Sequence, residues 1–150
     1  MPERACLQPP PSAADLARGV LRWFSSLNYV GLVEFPLAGG RRADVLALGP
    51  RGQLAMVEIK RSLADLRADR KWPEYLDDCD RFYFAVPTGF AVELLPVEHG
   101  LLVADRYGAE LLREAPEPDR RLAPARRRQT LLRFAQLAAG RLSQHLDPPV

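Results

Sequence analysis

From Asp44 to Lys60 the chain reads D-V-L-A-L-G-P-R-G-Q-L-A-M-V-E-I-K, two apolar runs joined by Gly49-Pro50-Arg51-Gly52, and this segment constrains the fold more than any other. Runs 45–48 and 54–59 have the length and composition of strands. The glycines and proline between them supply turn conformations, so the pattern predicts a β-hairpin. With residues 50–52 as the loop, 49 pairs with 53, and counting outward sets Asp44 opposite Glu58. Side chains alternate along a strand, so Glu58 and Lys60 share one face while Ile59 takes the other, and directly opposed residues stand roughly 5 Å apart. Two carboxylates and an ammonium are thereby expected to converge at one end of the hairpin.

Carboxylates that close repel each other unless a cation lies between them. An all-oxygen donor set with no Cys or His nearby favours a hard ion, so Mg2+ is the expected cofactor, with Mn2+ able to substitute. Such an ion engages substrate phosphate and helps to form a hydroxide nucleophile, and Lys60 is suited to hold that nucleophile or the charge developing in the transition state. The chemistry expected of this cluster is phosphodiester hydrolysis. A lone Glu-x-Lys also has a plain reading, a solvated pair that keeps an edge strand from sheet association.

The flanking pattern is that of an α/β protein. Ser12 with Asp15 resembles a capping box, and Leu16, Val20, Trp23, Phe24 and Leu27 recur at helical spacing, which predicts a helix over 13–27 with both aromatics in the core. Residues 29–37 read as a strand ended by proline. Glu34 interrupts it, either as an outward-facing residue of an edge strand or as an extra carboxylate for the site. Ser62 and Asp65 repeat the capping pattern and start a helix over 63–78, kinked or restarted at Pro73. Arg61, Arg67, Arg70 and Lys71 on it can contact phosphates or pair with Asp65, Asp69 and Glu74 along the helix surface. Tyr75 lies one turn from Lys71 and is a candidate substrate contact, whereas Trp72 reads as packing. Residues 82–86, a continuous apolar run, predict a strand covered on both faces. Two short strands, 101–104 and 109–112, flank a Tyr107-Gly108 turn.

The order helix, three strands, helix, strand, with Asp44 on the second strand and Glu58-Ile59-Lys60 on the third, resembles the PD-(D/E)xK nuclease superfamily. The resemblance implies a restriction-endonuclease-like α-β-β-β-α-β core, a mixed central sheet flanked by helices, here extended by a hairpin and a C-terminal helix. It implies Asp44 and Glu58 as metal ligands, the Ile59 carbonyl as a further ligand, and Lys60 as the catalytic base or charge stabiliser. The proline that usually precedes the aspartate is Ala43 here, and no acidic residue on the first helix fits the pattern, which leaves Glu34 as the nearest third carboxylate. G-R-R-A-D at 40–44, V-E-I-K at 57–60, D-R-K-W-P-E-Y at 69–75 and C-D-R-F-Y-F-A-V at 79–86 resemble the MmcB family of DNA-repair proteins over about residues 15–115. DNA is then the expected partner, with repair proteins beside it. Many nucleases of this fold act as dimers, so a homodimer is compatible with the resemblance. A non-catalytic DNA-binding or adaptor module that keeps the fold is the alternative.

Across 150 residues, 47% hydrophobic and 27% charged, one domain with a real core is expected. The expected divisions are a disordered Pro-rich tail at 1–11, the nuclease-like domain at 12–115, a Pro-rich linker at 116–124 and a basic helix and tail at 125–150. Residues 116–150 carry 7 Lys or Arg against 3 Asp or Glu, which makes this end the basic one. Leu131, Ala135, Ala138 and Leu142 form its expected apolar stripe, and Arg126, Arg127 and Arg128 its expected DNA contacts, with a partner-binding or membrane-surface helix as the equal alternative, although the small Ala-rich stripe argues against firm membrane insertion. No run approaches a membrane span, and the two cysteines are too few for a disulfide framework, so a reducing cytoplasm is the expected compartment.

Overall fold

The computed structural model describes residues 8–69, 72–119 and 121–150. A six-stranded sheet in the order β1-β2-β3-β4-β5-β6 forms its centre. The strands are β1 (Val30–Pro36), β2 (Arg42–Leu48), β3 (Leu54–Ile59), β4 (Arg81–Pro87), β5 (Gly100–Ala104) and β6 (Ala109–Arg113). The first three are antiparallel neighbours, β3, β4 and β5 are mutually parallel, and β6 returns antiparallel to β5. Helix α1 (Ala13–Ser26) precedes the sheet, α2 (Leu63–Ala68) and a 3₁₀ segment (Trp72–Asp78) connect β3 to β4, and α3 (Pro124–Leu146) closes the chain. The α-β-β-β-α-β core, the extra hairpin and the C-terminal helix are those expected.

The hairpin register follows from its loop. Gly49 N–H donates to the Gln53 carbonyl at 2.8 Å, and Gly52 sits at φ 84°, the left-handed position that closes a three-residue loop. Pairing then runs Leu48 with Leu54 to Val45 with Val57, and its next step sets Asp44 opposite Glu58.

Each sheet face has its own core. Leu16, Val20 and Phe24 of α1 pack on Val45, Val57, Tyr83 and Leu102, while Leu46, Met56, Phe82 and Phe84 on the other face meet Tyr75 and Phe134. The Ser12 capping box forms as expected, and β4 is buried on both faces. Burying roughly a dozen large apolar side chains in this way, at about 1.5–3 kcal/mol each, supplies the main favourable term in folding.

Three expectations change. The helix after Lys60 is shorter than expected and stops at Ala68, with Asp69 as its C-cap, while the restart expected at Pro73 takes the form of the 3₁₀ segment from Trp72. Pro124 is not linker but the first residue of α3, where its missing N–H costs nothing. The inward stripe of α3 is Thr130, Leu131, Phe134 and Leu137, while Ala135 and Leu142 are exposed. Phe134 decides this rotation by packing 6.0 Å from Phe35. Of the expected tail, residues 1–7 lie outside the described residues; Pro9 offers its carbonyl to Arg106 at 3.1 Å. Among the described residues, no helix is long and apolar enough to cross a membrane.

Candidate functional site

At the carboxyl end of β3 the backbone ladder gives way to side chains. The Asp44 carboxylate accepts the Ile59 N–H at 2.8 Å, and Glu58 Oε1 lies 3.4 Å from the Asp44 N–H. Glu58 is 5% exposed, and Lys60, equally buried, donates from Nζ to Asp69 Oδ2 at 2.5 Å. In open α/β sheets the crevice beyond the carboxyl ends of parallel strands is the usual ligand site, and β3 to β5 run parallel here.

The electrostatics report crowded negative charge. Burial, then the Asp44 charge, pushes the Glu58 carboxyl up to about 9, against a partial offset from Lys60. Burial also raises Asp44, with Glu34 adding to the effect and the Ile59 N–H opposing it. Tyr75 is buried beside this group, and its hydroxyl is pushed up to about 12, first by burial and then by Glu58, Asp69 and Asp44. It therefore stays a proton donor. The Arg41 guanidinium lies 5.5 Å from the Tyr75 ring centre and is paired with Glu74 at 2.5 Å, which adds a cation to the rim.

Glu34 occupies β1 between Val33, paired with Val45, and Phe35, paired with Ala43, and so stands opposite Asp44. Its φ is 50°, in the left-handed region. The usual alternation breaks there, since Leu32 and Phe35, three residues apart, join one core. Glu34 and Asp44 line the same cavity of about 300 Å³, walled by Ala17, Leu21 and Ile59 with Arg18 alongside.

Among the described residues, no three Asp, Glu, His or Cys side chains form a ready metal cluster. Two juxtaposed carboxylates with no nitrogen or sulfur donor still suit Mg2+, which binds through one or two carboxylates and completes its shell with water and substrate phosphate.

The other sequence candidates are spread out. Arg61 and Arg67 are exposed near the site, and Arg70 and Lys71 lie outside the described residues. Arg127 is committed to the fold and only partly exposed, donating to both Asp80 oxygens at 2.7 and 2.5 Å and to the Gly52 carbonyl at 2.9 Å. That fork outweighs burial and keeps Asp80 below its ordinary pKa. Arg126 reaches Asp78 at 3.4 Å, and Arg128 is exposed. Gly52 is at the far end of β3 from Lys60, so this triplet sits about 20 Å from the carboxylates, six strand steps away. Sequence reasoning missed Asp69, read as helix surface, and Arg41. Neither has a local signal, since Asp69 meets Lys60 across nine residues and Arg41 meets Glu74 across 33.

Fold and site together define a mixed α/β protein with a buried carboxylate-lysine cluster at the carboxyl end of its sheet. The chain belongs to the MmcB-like family of DNA repair proteins, whose model matches residues 2–149 and so takes in the C-terminal helix as well. A solved structure, a protein of unknown function from Silicibacter pomeroyi, is 48% identical, with a TM-score of 0.87 over 95% of this chain and 94% of that one. No curated protein matches.

Proposed function

We propose that this protein hydrolyses DNA phosphodiesters in repair as a Mg2+-dependent endonuclease of PD-(D/E)xK type. The observation that carries this reading is the Asp44-Glu58 pair interlocked with the Ile59 N–H, with Lys60 two residues beyond Glu58. Asp44 and Glu58 would hold the ion, with the Ile59 carbonyl and Glu34 as further oxygen donors. Bound there, Mg2+ supplies Lewis-acid polarisation of the scissile phosphate. Lys60 places an ammonium where charge builds on the phosphate oxygens, and Asp69 keeps its chain aligned. Tyr75, protonated, would offer a hydrogen bond beside the carboxylates, and Arg61, Arg67 and Arg41 would supply cations for the flanking backbone.

The test is cleavage of labelled single-stranded, duplex, flapped and branched DNA with Mg2+ or Mn2+, comparing wild type with Lys60→Ala and Asp44→Ala. Metal-dependent products lost in both variants support the nuclease; equal cleavage by all three proteins rejects it. A second reading, a non-catalytic DNA-binding or adaptor module, draws on the Lys60-Asp69 pair, which already gives the ammonium a carboxylate partner within the protein. Salt-dependent binding with no turnover on any substrate selects it.

A further inference from the structure

The C-terminal helix reaches the candidate site through one side chain. Arg141 donates from Nη1 to the Val33 carbonyl at 2.7 Å and from Nη2 to the Glu34 carbonyl at 3.2 Å. These two peptides bracket the point where β1 departs from extended geometry, with Glu34 at φ 50°. A glutamate rarely adopts that conformation, and such outliers persist only where surrounding structure holds them. Here α3 supplies the hold: Phe134 packs on Phe35 just after the kink, and Arg133 reaches the Pro36 carbonyl at 3.4 Å. The kink in turn places Glu34 across from Asp44, on the cavity the two residues share.

We infer that Arg141 is a positioning residue for the site: by clamping the Val33 and Glu34 carbonyls it holds Glu34 on the cavity it shares with Asp44, from which the carboxylate closes on the divalent cation as a further oxygen donor once the ion binds. This rests on the proposed carboxylate metal site. A planar guanidinium presents two parallel N–H groups to two carbonyls in succession, a match that an ammonium cannot make. β1 is the outer strand of the sheet, so these carbonyls have no strand partner on that side, and α3 takes the place of one. In this assignment the C-terminal helix is part of the site's framework.

Calorimetric titration of the full-length protein with Mn2+, in the absence of DNA, tests the assignment. Glu34→Gln should weaken Mn2+ binding about tenfold, and Arg141→Met by a similar factor, the usual effect of removing a group that orients a metal ligand. The double variant should bind no more weakly than the weaker single one, because both changes remove the same carboxylate from the site. Arg141→Lys, which keeps the charge and the helix surface, should reproduce the loss, and circular dichroism melting checks that it is folded. Wild-type affinity in Arg141→Met or Arg141→Lys, wild-type affinity in Glu34→Gln, or additive losses in the double variant each overturn the assignment while leaving the Asp44-Glu58 site intact. A wild-type protein that takes up no Mn2+ removes the metal-site reading itself, and the assignment with it.

Discussion

Asp69 holds Lys60 across nine residues of sequence: Oδ2 of one lies 2.5 Å from Nζ of the other, with side-chain exposures of 18% and 7%. The carboxylate of the residue that ends α2 thereby orients the lysine that follows β3. Breaking a buried pair from one side leaves the other charge uncompensated, at a cost of about 3 kcal/mol. Asp69→Ala should therefore lower unfolding stability in urea by about that amount, and Lys60→Met with Asp69→Leu should recover much of it. Equal stability of Asp69→Ala and wild type would show that water, not the pair, solvates Lys60.

Protonation of Glu58 is linked to stability with a definite sign. Its carboxyl is raised from 4.5 to about 9 in the fold, so the folded state binds the proton more tightly than the unfolded chain. That stability is complete below about pH 4.5 and is lost as pH rises toward about 9. Without divalent metal, wild type should lose stability over this window more steeply than Glu58→Gln, which carries no titrating group there. Added Mg2+ should reverse part of the loss at high pH, since a cation favours the ionised carboxylate. Parallel pH profiles of the two proteins would refute the linkage.

Adjacent arginines on α3 should behave differently. Arg127 is committed to Asp80 and Gly52, so Arg127→Ala should destabilise the fold, by about 1–2 kcal/mol for partly exposed charged hydrogen bonds. Arg128 is exposed, so Arg128→Ala should leave stability unchanged and reduce the salt slope of DNA binding by about one unit if that surface contacts phosphate. Melting curves and fluorescence anisotropy at several salt concentrations read the two effects separately.

At Gly19 in α1, context sets the sign. Alanine in a helix interior normally stabilises by about 1 kcal/mol over glycine. A Cβ on Gly19 would lie 1.9 Å from the Asp105 carbonyl oxygen, a backbone atom in the β5-β6 turn. That turn is itself tied down, with Asp105 Oδ1 accepting from Tyr107 and Gly108. The overlap should win, and Gly19→Ala should lower the melting temperature, by roughly 1–3 kcal/mol in stability. An unchanged or higher melting temperature would mean that α1 can slide away from the turn.

What the sequence alone determined is local. The Ser12 capping box, the three-residue loop ending at Gly52, the register that sets Asp44 opposite Glu58 and the buried β4 all follow from interactions within a few residues or from strand periodicity. What only the tertiary structure decided joins distant segments: Asp69 on Lys60, Arg41 over Tyr75, Arg127 in Asp80, Arg141 on the peptides of Val33 and Glu34. The last two pairings span 47 and more than 100 residues. Charged side chains of one type are interchangeable in sequence, and which of them meets a partner depends on how helices rotate to bury residues such as Phe134. The hairpin is therefore written in its own residues, while the partners that orient its charges are selected by packing.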